Sequence, residues 1–147
     1  MQTNFAQCQI GLSFEYGQID GRHMNLSVQY GQYIYTVLPT FDNEVGSAEL
    51  MFDIELPAVI NFSINNKGPN DTIVDSEGKI IKDCYIKIIG LSIDGFQIKL
   101  GSIDQNILVL TENGQSFTTH YLGFNGKAEL SLSKPDVMSQ VLFLNKF

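Results

Sequence analysis

Tryptophan is absent from the chain, and other scarcities are nearly as informative: two cysteines, two histidines, four prolines and nine basic residues among 147. Without tryptophan there is no flat indole platform for the face of a crystalline polysaccharide. Two cysteines make no disulfide framework. Cys8 and Cys84 each lie in an alternating apolar stretch and read as buried free thiols with no metal or nucleophile role. His23 and His120 match no nucleophile elbow, metalloprotease helix or zinc spacing. His23 falls in the turn-like Asp20-Gly21-Arg22-His23, and His120 faces outward from a strand, so both read as surface residues. Nine basic residues against sixteen acidic give a net charge of −7. The basic ones are scattered, which excludes the concentrated basic face that nucleic acid or an anionic membrane requires. No apolar run approaches the roughly 20 residues that span a bilayer. Met1–Ile10 lacks the basic start of a secretory signal, Arg22 being the first cationic side chain.

Charge is scarce too, at 17% of residues against roughly 25% in an average soluble domain. Eleven asparagines and ten glutamines, with serine, threonine and glycine, supply the missing polarity. Neutral polar residues suit the wet faces of strands and turns better than those of helices. With 44% hydrophobic residues, residues 1–147 read as one globular domain.

The dominant pattern has period two, the signature of strands with one buried face. Ala6, Cys8, Ile10, Leu12, Phe14 and Tyr16 alternate with polar residues or glycine, and Met24, Leu26, Val28 and Tyr30 repeat the pattern. A Gly31-Gln32 turn and a return strand Tyr33–Leu38 complete a hairpin. Ala48–Leu56 and Ala58–Ile64 follow on either side of Pro57. Strand character resumes at Tyr85–Ile93, with Gly90 inside it marking a bulge or a close-packing point, and a closing Asp94-Gly95 turn, and then a shorter stretch at Phe96–Leu100. A second hairpin joins Ile107–Thr111 to Ser116–Tyr121 through Asn113-Gly114. Lys127–Leu132 and Val137–Leu144 read as the last strands, the latter being an apolar run expected to lie buried in mid-sheet. No sustained helical period is evident. About ten short strands imply a β-sandwich, here of jelly-roll type.

Asn65–Asp83 is the one long irregular segment, rich in acids and amides. Calcium takes six to eight oxygen ligands, and Asp71, Asp75 and Asp83 supply carboxylates that converge if the loop folds back on itself. The spacing is not that of an EF-hand, and composition alone favours an ordinary solvated hairpin built on Asn70-Asp71 and Glu77-Gly78 turns.

Asn70-Asp71, followed after a gap by Asp83-Cys84-Tyr85-Ile86-Lys87-Ile88-Ile89-Gly90-Leu91-Ser92-Ile93-Asp94-Gly95, resembles the calcium-dependent xylan-binding carbohydrate-binding modules. The hairpin Asn25–Val37 is similar to that family's upstream hairpin. The resemblance covers about residues 24–95. It implies a carbohydrate-binding-module-like sandwich that grips vicinal sugar hydroxyls through a loop-bound Ca2+, with Asp71 and Asp83 as ligands and Asn70 nearby. The chain departs from the family pattern at Cys84, where the family has arginine, and at Ile89, where it has a second aspartate. More broadly, an amide-rich, low-charge, all-β chain resembles small virion proteins of tailed phages.

The leading expectation is therefore a non-enzymatic decoration or appendage protein, located in the virion, with a carbohydrate-binding-like sandwich. Its partners are then other virion proteins of capsid or tail, copies of itself, or a cell-surface glycan, with no nucleic acid and no membrane. Glycan contacts are assigned to Asn70 and to stacking by Tyr33, Tyr35 and Tyr85. The alternatives are a stand-alone calcium-dependent glycan-binding module and, from a different class, a small glycoside-active enzyme using paired carboxylates.

Overall fold

In the computed structural model, which describes residues 6–42 and 44–146, the alternation that opens the chain becomes one long strand, β1 (Gln7–Gly17). Cys8, Ile10, Leu12, Phe14 and Tyr16 are all buried along one face. β1 pairs along its whole length with β5 (Val45–Glu55), and from Ile10 onward with β9 (Tyr85–Ile93) on the other side. β4 (Thr40–Asp42) extends this sheet beyond β5, and β10 (Phe96–Gln97) and β13 (Tyr121–Leu122) both pair with β9. The second sheet runs β12 (Ser116–Thr118), β11 (Ile107–Thr111), β14 (Gly126–Leu132), β6 (Ala58–Asn65), β2 (Asn25–Tyr30), β3 (Tyr33–Val37). All these pairings are antiparallel. The result is the expected all-β two-sheet sandwich. Its core joins Ile10, Phe14 and Tyr16 of one sheet with Val28, Ile60, Phe62, Val109 and Leu130 of the other. Each such side chain contributes about 1.5–3 kcal/mol by leaving water.

The local devices fall where the sequence puts them. Gly31, at φ +58°, turns the β2–β3 hairpin, in which Tyr30 pairs with Tyr33. The β1–β9 register slips opposite Ser13 and Phe14, leaving Ile89 as the extra residue beside Gly90. Cys8 and Cys84 are buried and free. Burial, then Asp94 and Asp53, push the Cys8 thiol up to about 11. Burial raises the Cys84 thiol as well, so neither is a thiolate nucleophile at neutral pH.

Three expected strands and the reading of both histidines need correction. Val137–Leu144 is not a strand but a helix, α2, after Asp136 accepts from the Ser139 amide at 2.8 Å. That cap satisfies an otherwise orphaned amide. Val137, Val141 and Leu144 then share one helical face, the last two buried, while Leu142 and Phe143 remain exposed. A second short helix, α1 (Leu100–Asn106), buries Ser102 and Ile103 and shortens the strand expected at Phe96–Leu100 to the two residues of β10. Ser116–Tyr121 is also not one strand. The Thr119 amide donates to Ile107 of the second sheet, whereas the Ile88 amide of the first sheet donates to the His120 carbonyl. The chain thus changes sheets between neighbouring residues. His120 is consequently no bare surface histidine, its Nδ1 lying 2.7 Å from Asp104 Oδ1 on α1. His23 likewise packs its ring against Tyr16 and Phe41.

The segment after β6 leaves the second sheet beside Asn25 and Gly126 and re-enters the first at Tyr85, opposite Gly17. Between these points β7 (Thr72–Val74) and β8 (Ile80–Asp83) pair as a separate two-stranded hairpin. Its base sits at one end of the sandwich, among the connections that follow β1 and β13.

Candidate functional site

Ile19 and Arg22 exchange both backbone hydrogen bonds, at 3.0 and 2.9 Å, around Asp20 and Gly21, whose φ angles are +50° and +79°. Two positive φ angles in a two-residue turn call for this Asp-Gly pair. The turn presents Arg22, the only arginine of the sequence, to Asp71. Arg22 Nε and Nη2 both reach Asp71 Oδ1 at 2.9 Å, and the Gly68 amide donates to Asp71 Oδ2 at 2.7 Å. The Asp71 carbonyl accepts from the Cys84 amide at 2.7 Å, which anchors the loop to the start of β9. Asp71 is 5% exposed, so its charge requires these partners.

Asp83, at the other side of the hairpin base, is as fully engaged. Its Oδ1 accepts from Lys67 Nζ and from the Thr72 hydroxyl, both at 2.6 Å. Its Oδ2 accepts from the Tyr121 hydroxyl. Lys67 Nζ also donates to the Gly123 carbonyl at 2.6 Å, while the Lys67 backbone and the Asn125 side-chain amide bond reciprocally at 2.9 Å each. Behind the pair, Tyr121 stacks on Tyr85 with ring centroids 5.2 Å apart, and the Tyr85 hydroxyl donates to Glu15 at 2.7 Å. Burial, then Glu15, push the Tyr85 phenol up to about 12.

Beside the Arg22–Asp71 pair lies a cleft of about 980 Å³ lined by Ile19, Asp20, Arg22 and residues 66–74. Asn70 is exposed and lines this cleft. Asp71 and Asp83 both belong to this end of the hairpin, but Asp75 does not join them. It closes the far turn, its Oδ1 accepting from the Glu77 and Lys79 amides at 2.9 Å each. Among the described residues no three acidic, histidine or cysteine side chains are grouped to hold a metal ion. The donor set does not fit calcium. The oxygens of Asp71 and Asp83 face N–H and O–H donors, and a cation would have to displace them.

The tyrosines separate. Tyr85 does not line the cleft, and its ring is stacked on Tyr121. Tyr35 turns inward and stacks on Phe52 at 4.8 Å. Tyr33 is exposed but sits at the far end of the β2–β3 hairpin: Asn25 pairs with Asn65, and Tyr33 pairs with Tyr30. Five residues of strand put it about 17 Å away. Arg22, Lys67, Tyr121 and Asn125 escape the sequence reading, although a lone arginine in a chain this poor in charge was a signal for the first.

The carboxylates here predict an acid-sensitive fold. The Gly68 amide and then Arg22 hold the Asp71 carboxyl below its ordinary 3.8, and His120 does the same for Asp104. A carboxyl depressed on folding binds fewer protons in the native state. Its contribution is whole above the unfolded value and is lost as pH falls through the folded one. The thermal midpoint is expected to fall between about pH 5 and pH 2, and to fall less in Asp71→Asn. Equal slopes would remove Asp71 from the effect.

The fold and this end of it define a β-sandwich with an ion-paired polar cleft. No family model and no curated protein matches the chain. Two solved structures are similar to it, each at 14% identity over 84% of this chain. One is the selenomethionine form of vCBM60, described with calcium-dependent carbohydrate-binding modules, with a TM-score of 0.47 and 90% of that chain covered. The other is vCBM60 in complex with galactobiose, with a TM-score of 0.45 and 97% covered. Neither these structures nor the cleft bears on a virion role.

Proposed function

We propose that the protein is a non-enzymatic glycan-binding module whose cleft takes a neutral oligosaccharide. One observation carries this reading: buried Asp71 fixes the half-exposed guanidinium of Arg22 beside the amides of Asn66 and Asn70, within a cleft whose charges largely cancel. Sugar hydroxyls both donate and accept, and an exposed guanidinium beside side-chain amides meets both needs. Residues 66–74 of the cleft fall within the segment that resembles the carbohydrate-binding modules, whereas Ile19, Asp20 and Arg22 precede it. A glycosidase acid must hold its proton near neutral pH, whereas the partners of Asp71 drive its carboxyl the other way.

Calorimetric titration with xylo-oligosaccharides and galactobiose tests the reading. Arg22→Ala and Asn70→Ala are each expected to weaken binding about tenfold, which is about 1.4 kcal/mol, with no reducing ends released during incubation. Absence of binding to any neutral oligosaccharide, or variants that bind as the wild type does, would overturn it.

A further inference from the structure

The environment of Lys67 is more specific than a surface ion pair. Its ammonium is held by a carboxylate oxygen of Asp83 and the main-chain carbonyl of Gly123, each at 2.6 Å, and its side chain is 14% exposed. Its backbone is clamped on both sides by Asn125. One cation therefore ties together three stretches of chain: the loop at 67–71, the end of β8 and the connection at 123–125. Oxygen ligands drawn from carboxylate and carbonyl groups of separate loops are what a structural calcium ion gathers. Arg22 does the corresponding work for Asp71, binding one oxygen through two nitrogens while the Gly68 amide takes the other.

We infer that Lys67 and Arg22 are built-in counter-ions, which hold Asp83 and Asp71 where a bound divalent cation otherwise would, so that the cleft keeps its shape without calcium. The inference deepens the glycan reading and rests on it only for what enters the cleft. The loop organisation stands on the ion pairs alone. Two partly desolvated carboxylates at one hairpin base repel each other unless each is neutralised. Here the neutralising charges are covalent parts of the chain, with no dissociation equilibrium. Arg22 is half exposed, and the guanidinium N–H groups not spent on Asp71 are left for a sugar hydroxyl.

Thermal unfolding of the full chain, in about 5 mM calcium chloride and in excess EDTA, tests this without any sugar. A ligand that binds only the native state must raise the midpoint. The two wild-type midpoints are expected to agree within about 1 °C. Lys67→Met and Arg22→Gln are each expected to lower the midpoint by several degrees, equally in both solutions, with Lys67→Arg closer to the wild type. A calcium-dependent rise of several degrees in the wild type overturns the inference. So does a Lys67→Met or Arg22→Gln midpoint equal to that of the wild type. Should Lys67→Met fail to fold, Arg22→Gln at the half-exposed position carries the comparison. Terbium provides a second readout, because Tyr85 and Tyr121 stand close enough to sensitise an ion held at Asp83. Wild-type protein is expected to stay dark, and bright emission overturns the inference. Failure to bind any sugar would leave these midpoints unchanged, so the two proposals fail separately.

Discussion

Gly17→Val is expected to destabilise the protein by about 3 kcal/mol, near the upper end of what overpacking costs, and to abolish sugar binding. A Cβ at this position would meet the edge of the Tyr85 ring and stand 2.8 Å from the Asp83 carbonyl oxygen. A side-chain tip can swing away, but a backbone carbonyl between two paired strands cannot. β1 and β9 must therefore separate where Gly17 pairs with Tyr85. The Tyr85–Tyr121 stack and the seat of Asp83 shift with them. At about 3 °C per kcal/mol for a chain of this length, the midpoint falls by roughly 9 °C. Gly17→Ala follows in the same direction by less. Combining Gly17→Ala with Tyr85→Ala is expected to recover part of the loss, because the ring is then gone and only the carbonyl contact remains. A double-mutant cycle on thermal midpoints reads this coupling. Strict additivity of the two changes would show that the ring is not what glycine accommodates.

Phe14→Ala is expected to cost more, about 4 kcal/mol. The ring is fully buried on the central strand, with Ala48 opposite on β5 and Ile88 on β9. Ala48 leaves the room that the ring fills, and a strand paired on both sides is held too firmly to collapse into a cavity. The midpoint falls by roughly 12 °C, as calorimetry would record. The same measurement on Leu142→Ala, an exposed position of α2, should move by no more than about 0.5 kcal/mol. A large loss there would return residues 137–144 to the buried strand that their composition resembles.

That segment illustrates what was legible in the sequence. Alternation from Cys8 to Tyr16 fixes both the strand and its buried face, because only period two brings all those apolar residues to one side. Val141-Leu142-Phe143-Leu144 carries no such information, since a continuous apolar run fits a buried strand or one side of a helix. The deciding residues were polar ones, Asp136 and Ser139, set three apart as a helix cap. The site divides similarly. Asp71 and Asp83 stand out in an acid-rich excursion, but their partners do not. Arg22 is 49 residues from Asp71, and Lys67 is 16 from Asp83 across an intervening hairpin. Only the way β1 and β6 end at the same edge of the sandwich makes them neighbours. Tyr33 and Tyr35 were assigned to the ligand on residue type, whereas the β2–β3 hairpin carries one to the opposite end and turns the other into the core.

The position of β1 in its sheet bears on how the chain is made. It is made before either of its partners, yet it lies between β5 and β9, and Gln9 bonds to Asp94, 85 residues later. At about 5–20 residues per second, an apolar strand waits several seconds with one or both edges open before its second partner exists. Gln7, Gln9 and Ser13 on its outer face are polar whether or not β9 is present, so that face offers little apolar surface to another chain while the edge is open.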